Sequence, residues 1–207
     1  DSPYTGPGNT DIRMWVPMTI VAIDASTGRP AQLGDVVIDC EGTARAFIFL
    51  EGQNIADANR VNTTDVYNPV FDDGEAVDAN EAFVIQGFKI INGFAEEWND
   101  PTTYLNAGCG GGILIDAGYP IISDCFFQNC ISDDFAGGAM AIGQGEEGGG
   151  EDVPLIRNCV FYGNSAYTGG GAIVVTRNAA PNIINCLMVQ NYADVGGAMY
   201  IDDCTPN

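Results

Sequence analysis

The sequence predicts an all-β fold, a right-handed parallel β-helix with about five to six coils of roughly 26 residues each. Three observations predict it. A glycine-rich tetrapeptide recurs along the chain, and a second group of residues recurs with the same period. The segments between these signals are short, alternating and rich in β-branched and aromatic residues, which is typical of strands. Two repeats with one period indicate a solenoid in which every coil is one structural unit.

The glycine repeat marks one bend in every coil. Gly-Gly-Gly-Ile at residues 110–113 returns as Gly-Gly-Ala-Met or Gly-Gly-Ala-Ile at residues 137–140, 170–173 and 196–199. The intervals are 27, 33 and 26 residues, and the long interval contains an acidic, glycine-rich insertion. Glycine pairs allow a sharp bend into the following strand. The predicted glycine ladder consists of Gly111, Gly138, Gly171 and Gly197.

The second repeat brings cysteine and asparagine to equivalent positions. Cys125, Cys159 and Cys186 each follow a short aliphatic strand, and Gly87 is assigned to the cysteine position of an earlier copy. The residues five positions further on are Asn92, Cys130, Asn164 and Asn191. Asparagine tolerates a left-handed corner, and its amide can bond to the next asparagine along the axis. The three asparagines are therefore predicted to form one ladder.

The aligned cysteines, Cys125, Cys159 and Cys186, have two interpretations. They are expected to face inward and stack as small apolar groups. Adjacent coils would also bring their Cα atoms to ~4.8 Å, within the range of a disulfide. The chain has seven cysteines, so at least one thiol is unpaired within a monomer. Because there is no Cys-x-x-Cys pair and no histidine, a zinc site is not expected.

Residues 1–207 are predicted to form a single β-helix domain with two loop insertions, a long one at about 53–80 and a smaller one at about 143–152. The long insertion contains Asn62 in an Asn-Thr-Thr sequon, which makes it a candidate for N-glycosylation. Neither end shows a capping helix. We therefore expect open ends, which favour pairing with another strand.

The charge of the chain limits its partners. The formal net charge is −21, from 28 acidic and 7 basic side chains. Such a surface repels phosphate backbones and anionic membrane surfaces, so nucleic acid is not expected as a partner. No stretch approaches the ~20 continuous apolar residues of a membrane span, so membrane insertion is not expected either. Asp72, Asp73 and Glu75 are weak candidates for Ca²⁺, although their spacing does not fit an EF-hand loop. No other metal or cofactor is expected.

Residues 154–166 carry the resemblance to a known family. They read Pro-Leu-Ile-Arg-Asn-Cys-Val-Phe-Tyr-Gly-Asn-Ser-Ala. Together with the Gly-Gly-Ala-Ile signals, this resembles the repeats of right-handed parallel β-helix proteins of the pectate-lyase-like superfamily. Polymorphic outer-membrane proteins carry similar Gly-Gly-Ala-Ile and Phe-x-x-Asn motifs. The resemblance covers most of the chain and implies the fold, whereas it implies no particular activity.

The sequence does not contain the residue patterns expected of a catalytic site. A chain without histidine lacks the commonest general base and the Ser-His and Cys-His arrangements. The seven cations are not concentrated in a groove that would bind a uronate, and the Gly-His-Gly and Arg-Ile-Lys motifs of polygalacturonases are absent. We therefore expect no catalytic residues and no enzyme activity.

The function that the sequence predicts is structural. We expect a non-catalytic, extracellular or cell-surface β-solenoid that serves as a fibre subunit, a stalk or an adhesin module. Its expected partners are a second copy bound end to end or neighbouring β-helix segments, and glycans at its surface. The alternative is a carbohydrate-active β-helix, a lyase or a glycoside hydrolase, that binds or cleaves polysaccharide.

Overall fold

The computed structural model describes residues 12–14, 19–24, 29–31, 33, 35–49, 83–95, 108–116, 120–143 and 154–202. Within these ranges every regular element is a strand, and there are 21 of them. Nearly all pair in parallel with a strand one coil away. The chain is an all-β parallel β-helix, as the repeats predict.

In the described residues four parallel sheets run along the axis; each of the five coils contributes one strand to the first three sheets, and the three middle coils also contribute one to the fourth. We name the sheets after their place in the coil. The first sheet contains β1 (Ile12–Met14), β6 (Phe47–Phe49), β10 (Ile113–Ile115), β14 (Met140–Ile142), β18 (Ile173–Val175) and β21 (Met199–Ile201). The second contains β2 (Thr19–Val21), β7 (Val84–Gln86), β11 (Ile121–Ser123), β15 (Leu155–Arg157) and β19 (Asn182–Ile184).

The third sheet contains β5 (Val36–Asp39), β8 (Phe88–Ile91), β12 (Phe126–Gln128), β16 (Val160–Tyr162) and β20 (Leu187–Val189). A fourth, shorter sheet contains β9 (Phe94–Ala95), β13 (Ile131–Ser132) and β17 (Ser165–Ala166). The spacing of the repeat predicts three strands per coil, so this fourth strand is an addition. A small antiparallel pair, β3 (Ile23–Asp24) and β4 (Arg29–Pro30), interrupts the first coil.

We count a coil from its strand in the first sheet. The third coil thus holds β10 to β13, the fourth β14 to β17 and the fifth β18 to β20, while β21 begins a sixth. The five complete coils and the start of a sixth agree with the number that the period predicts.

The core lies inside the coils and is built from aligned side chains. Alternation along each short strand turns every second residue inward. Ile85, Ile122 and Ile156 occupy one inward row of the second sheet and are fully buried. In the third sheet the rings of Phe127 and Phe161 stack at 4.9 Å between centroids and 5° between planes. Stacking like on like along the axis buries the apolar side of coils that could not bury it alone.

Candidate functional site: axial ladders and an open coil edge

The three predicted cysteines form one column inside the coils. The three cysteines are in register because the strand residues on both sides of them pair from coil to coil. On one side Ser123 pairs with Arg157 and Arg157 with Ile184; on the other, Phe126 pairs with Val160 and Val160 with Leu187. Cys125 and Cys159 are buried and Cys186 is half-buried, and all three are free thiols. The predicted inward stacking is confirmed, whereas no disulfide joins these three cysteines in this structure.

The thiol column has uneven acidity. Burial raises the pKa of Cys159 well above its usual range. The hydrogen bond from the Cys159 thiol lowers the pKa of Cys186 to about 7, against the opposing effect of partial burial. Each thiol also bonds to main-chain carbonyls, for example Cys159 Sγ to the Arg157 oxygen at 3.1 Å and Cys186 Sγ to the Ile184 oxygen at 3.4 Å.

A buried asparagine ladder lies at the corner between the third and fourth sheets. Asn164 is fully buried, and its Oδ1 accepts the Cys130 N–H at 2.9 Å. Its Nδ2 donates to the Phe127 oxygen at 3.2 Å and to Asn191 Oδ1 at 3.0 Å. Asn191 repeats the pattern, since its Nδ2 donates to the oxygen of Phe161 at 3.0 Å. The ladder predicted for Asn164 and Asn191 therefore satisfies the buried backbone of the corner.

Asn92 does not belong to this ladder, and the predicted alignment of its coil is wrong by one residue. Strand β7 pairs with β11 so that Gln86 lies opposite Ser123, which places Gly87 beside Asp124 and Phe88 in the cysteine column. The physical reason is the corner conformation, because both Gly87 (φ 83°) and Asp124 (φ 53°) are left-handed. Asn92 itself has φ 54°, and its Nδ2 donates to Asp39 Oδ1 at 3.0 Å.

The left-handed corners carry a second amide ladder that the sequence analysis did not identify. Asn185 Nδ2 donates to Asn158 Oδ1 at 2.8 Å, and Asn158 Nδ2 donates to Asp124 Oδ1 at 3.2 Å. Gln86 Nε2 donates to the other oxygen of Asp124 at 3.0 Å. The signal was present in the sequence, because an Asn or Asp directly precedes each cysteine of the column.

The predicted glycines form a ladder, and each member of a pair is required for a different reason. The first glycines, such as Gly137 (φ 73°) and Gly170 (φ 64°), adopt a left-handed backbone. The second glycines lie against the next coil: a Cβ on Gly138 would come within 3.0 Å of the carbonyl oxygens of Gly171 and Ser165. Gly111 and Gly171 are similarly enclosed by backbone, whereas at Gly197 the nearest atom would be the Asn191 oxygen at 3.2 Å.

Arg45 begins this glycine column, and sequence reasoning missed it. Strand β6 pairs with β10 so that Phe47 lies opposite Ile113, which aligns Arg45 with Gly111. The guanidinium is buried, with Nε donating to the oxygen of Gly110 at 3.0 Å and a terminal nitrogen donating to that of Cys109 at 3.0 Å. A buried charge satisfied by main-chain carbonyls holds the second coil to the third.

The last described strands of the first three sheets, β21, β19 and β20, form what we call the open edge. Among the residues that the structure describes, no strand pairs with the outer side of these three strands. Their apolar side chains are exposed, with exposed fractions of 54% for Ile184, 56% for Leu187 and 61% for Ile201. A strand edge with exposed apolar residues is a surface on which another strand can pair.

Several predicted features lie outside the described residues. These are the insertion at 53–80 with Asn62, Asp72, Asp73 and Glu75, and the insertion at 143–152 apart from Gly143. In the described part of the chain, no group of three or more Cys, Asp or Glu side chains is arranged to hold a metal ion. That same part contains no helix with the length and apolar character needed to cross a membrane.

Comparisons with protein-family models, with curated proteins and with solved structures gave no match to this chain. The fold and the axial ladders nevertheless define its class, a parallel β-helix repeat protein.

Proposed function

We propose that this chain is a non-catalytic, extracellular or cell-surface structural β-solenoid that lengthens by adding coils at its open edge. The added coil comes from a second copy bound end to end, as in a fibre, stalk or adhesin module. The observation that carries the proposal is the open edge, whose three strands have exposed apolar side chains, no charged residue and an outer side on which no strand of the described residues pairs.

The backbone of the open edge is directed outward at alternate residues. Leu187 donates its N–H to the Cys159 oxygen, and the Val189 oxygen accepts the Gly163 N–H. Both groups therefore point toward the fourth coil, and Met188 between them points its N–H and C=O the other way. The same holds in β19, where Asn182 and Ile184 bond to the fourth coil and Ile183 lies between them. These outward groups match the spacing of one more parallel strand.

The apolar rows of the core continue to this edge. Ile183, Met188 and Met199 are inward residues that remain only partly buried. Their counterparts one coil earlier, Ile156, Phe161 and Ile173, are fully buried. A further coil would remove the remaining apolar surface from water at about 25 cal/mol per Å².

The open edge has no charge to oppose association. Strands β19, β20 and β21 read Asn-Ile-Ile, Leu-Met-Val and Met-Tyr-Ile, in a chain whose formal net charge is −21. Natural sheet edges are commonly protected by lysine, proline or inward charges. The absence of such protection from these strands supports pairing as their role.

The test is sedimentation velocity and negative-stain microscopy of the whole chain over a range of concentrations. We expect rods that lengthen with concentration, and a double variant, Ile184→Lys with Leu187→Lys, that stays monomeric. The control is Ile131→Lys with Tyr167→Lys, which changes two exposed side chains of earlier coils (38% and 65% exposed). Both variants reduce the negative charge equally, so a general charge effect would favour association in both. A wild-type chain that is monomeric at every concentration, or equal association by the two variants, would overturn the proposal.

The proposal also covers the evolutionary relationship of the repeat and the question of a cofactor. We propose that the repeat is related to that of the pectate-lyase-like superfamily, on the strength of the Asn-Cys-x-Phe and Gly-Gly-Ala-Ile motifs. The proposed function requires no cofactor, because every ladder described above is built from the chain's own side chains.

A further inference from the structure

The cysteine column contains one pair of thiols that differs from the rest. Cys159 and Cys186 lie in register in adjacent coils, between the paired residues Arg157↔Ile184 and Val160↔Leu187. Parallel strands lie about 4.8 Å apart, and Cα atoms that are 4.4 to 6.8 Å apart suit a disulfide.

Access distinguishes this pair from the other adjacent pair in the column. Cys125 and Cys159 have exposed fractions of 0% and 1%, so no reagent reaches either of them directly. Cys186 is half-buried and lies in the loop that joins β19 to β20 of the open edge. Its lowered pKa, about 7, reflects the hydrogen bond from Cys159 and makes thiolate available near neutral pH.

We propose that Cys159 and Cys186 are a site of reversible oxidation, at which a small-molecule disulfide closes a covalent link between the fourth and fifth coils. The Cys186 thiolate attacks one sulfur of the small disulfide and releases its other half as a thiolate. The Cys159 thiol then transfers its proton, through water, to the thiolate already released, and its sulfur attacks Cys186 Sγ; the Cys186–small-molecule S–S bond breaks and the second half leaves as a thiolate that takes a proton from water. Two protein thiols are oxidised to one disulfide, and one small disulfide is reduced to two thiols.

The test uses the whole reduced chain, incubated with oxidised glutathione and then mapped by mass spectrometry without reduction. Trypsin cuts after Arg177 and so separates Cys159 from Cys186, and chymotrypsin cuts after Tyr192 and so separates Cys186 from Cys204. We expect the loss of two of the seven thiols and a peptide pair that links residues 159 and 186.

Three variants separate the steps. Cys186→Ser is expected to lose no thiol to glutathione, because the accessible nucleophile is gone. Cys159→Ser is expected to keep one glutathione bound to Cys186, because the resolving thiol is gone. The matched control Cys125→Ser removes the third member of the column and is expected to form the 159–186 link as the wild type does.

Several results would overturn the proposal. They are a link from Cys186 to Cys204, a link between two chains, loss of the disulfide in Cys125→Ser, or a wild-type chain that keeps all seven thiols. The wild-type peptide map gives its answer even where a variant does not fold, and far-UV circular dichroism identifies such a variant. The inference does not depend on end-to-end assembly, since the link forms within one chain.

Discussion

The fourth coil and the open edge contain the same columns of residues in different surroundings. Asn164 and Cys159 are fully covered by the coils on either side, whereas Asn191 and Cys186, their counterparts one coil later, are half-buried. The pKa of the thiol is raised in the covered coil and lowered at the edge. The repeat thus determines which groups form hydrogen bonds along the axis, while the presence of a further coil determines how deeply those groups are buried.

The largest expected effect comes from glycines in the two regions. Gly138→Ala would place a methyl group against the fixed backbone of Gly171 and Ser165, which cannot rotate away. We expect a loss of roughly 4 kcal/mol of unfolding free energy or a failure to fold. Gly197→Ala meets only the Asn191 oxygen, without a left-handed φ, and is expected to cost under about 1 kcal/mol.

Urea unfolding followed by far-UV circular dichroism measures both glycine variants. Equal losses of stability in Gly138→Ala and Gly197→Ala would mean that enclosure by the next coil does not determine the cost. The comparison between the two regions would then be wrong at the level of backbone packing.

The asparagine ladder gives an intermediate effect. Asn164→Ala leaves the buried N–H of Cys130 and the buried oxygen of Phe127 without these partners, which is expected to cost about 3 kcal/mol. Asn191→Ala removes the equivalent hydrogen bonds at a half-buried position, where water can replace part of them. We expect this variant to lose about 1 kcal/mol of unfolding free energy.

Glycine provides the control for the asparagine variants. Asn164 does not have a left-handed φ, so Asn164→Gly should be as unstable as Asn164→Ala. Asn158 is exposed with φ 51°, and there glycine should be tolerated better than alanine. Thermal unfolding of the four variants checks this, and a stable Asn164→Gly would contradict the role assigned to the amide.

The smallest effect on stability is expected from the thiols, which differ in reactivity. The pKa of Cys186 is lowered to about 7, so its thiolate fraction rises with pH through neutrality. Alkylation by iodoacetamide should therefore reach half its maximal rate near pH 7 at Cys186, while Cys159 stays unmodified in the folded chain. Site-resolved mass spectrometry measures both rates, and equal modification of the two thiols would remove the distinction.

Much of the fold could be predicted because the repeat is visible in the letters of the sequence. The glycine pairs, the cysteines and the asparagines at 164 and 191 recur at nearly constant spacing, and each recurrence reflects contact between neighbouring coils. The number of coils and the inward orientation of the thiols follow from that spacing and from strand alternation.

The predictions from sequence are wrong or incomplete in the earlier coils, where a different residue occupies a repeated position. The sequence pattern aligns Gly87 with the cysteines, whereas the structure places it at the left-handed corner of Asp124, because the φ of a glycine cannot be read from its residue type. Arg45 was missed because it stands at a glycine position and acts through a long side chain on Cys109 and Gly110. The acidity of Cys186 depends on which coil is next to it, which residue types alone do not specify.

The corners of the coil differ in the chain length that they accept. From the second coil on, one or two residues connect the second sheet to the third, for example Asp124 and Cys125. The connection from the first sheet to the second varies from residues 116–120 in one coil to 143–154 in the next. New sequence can therefore be inserted on that side without altering the rise from coil to coil. Natural insertions, or a peptide grafted by design, are therefore expected in the connection from the first sheet to the second, while the connection from the second sheet to the third keeps its length.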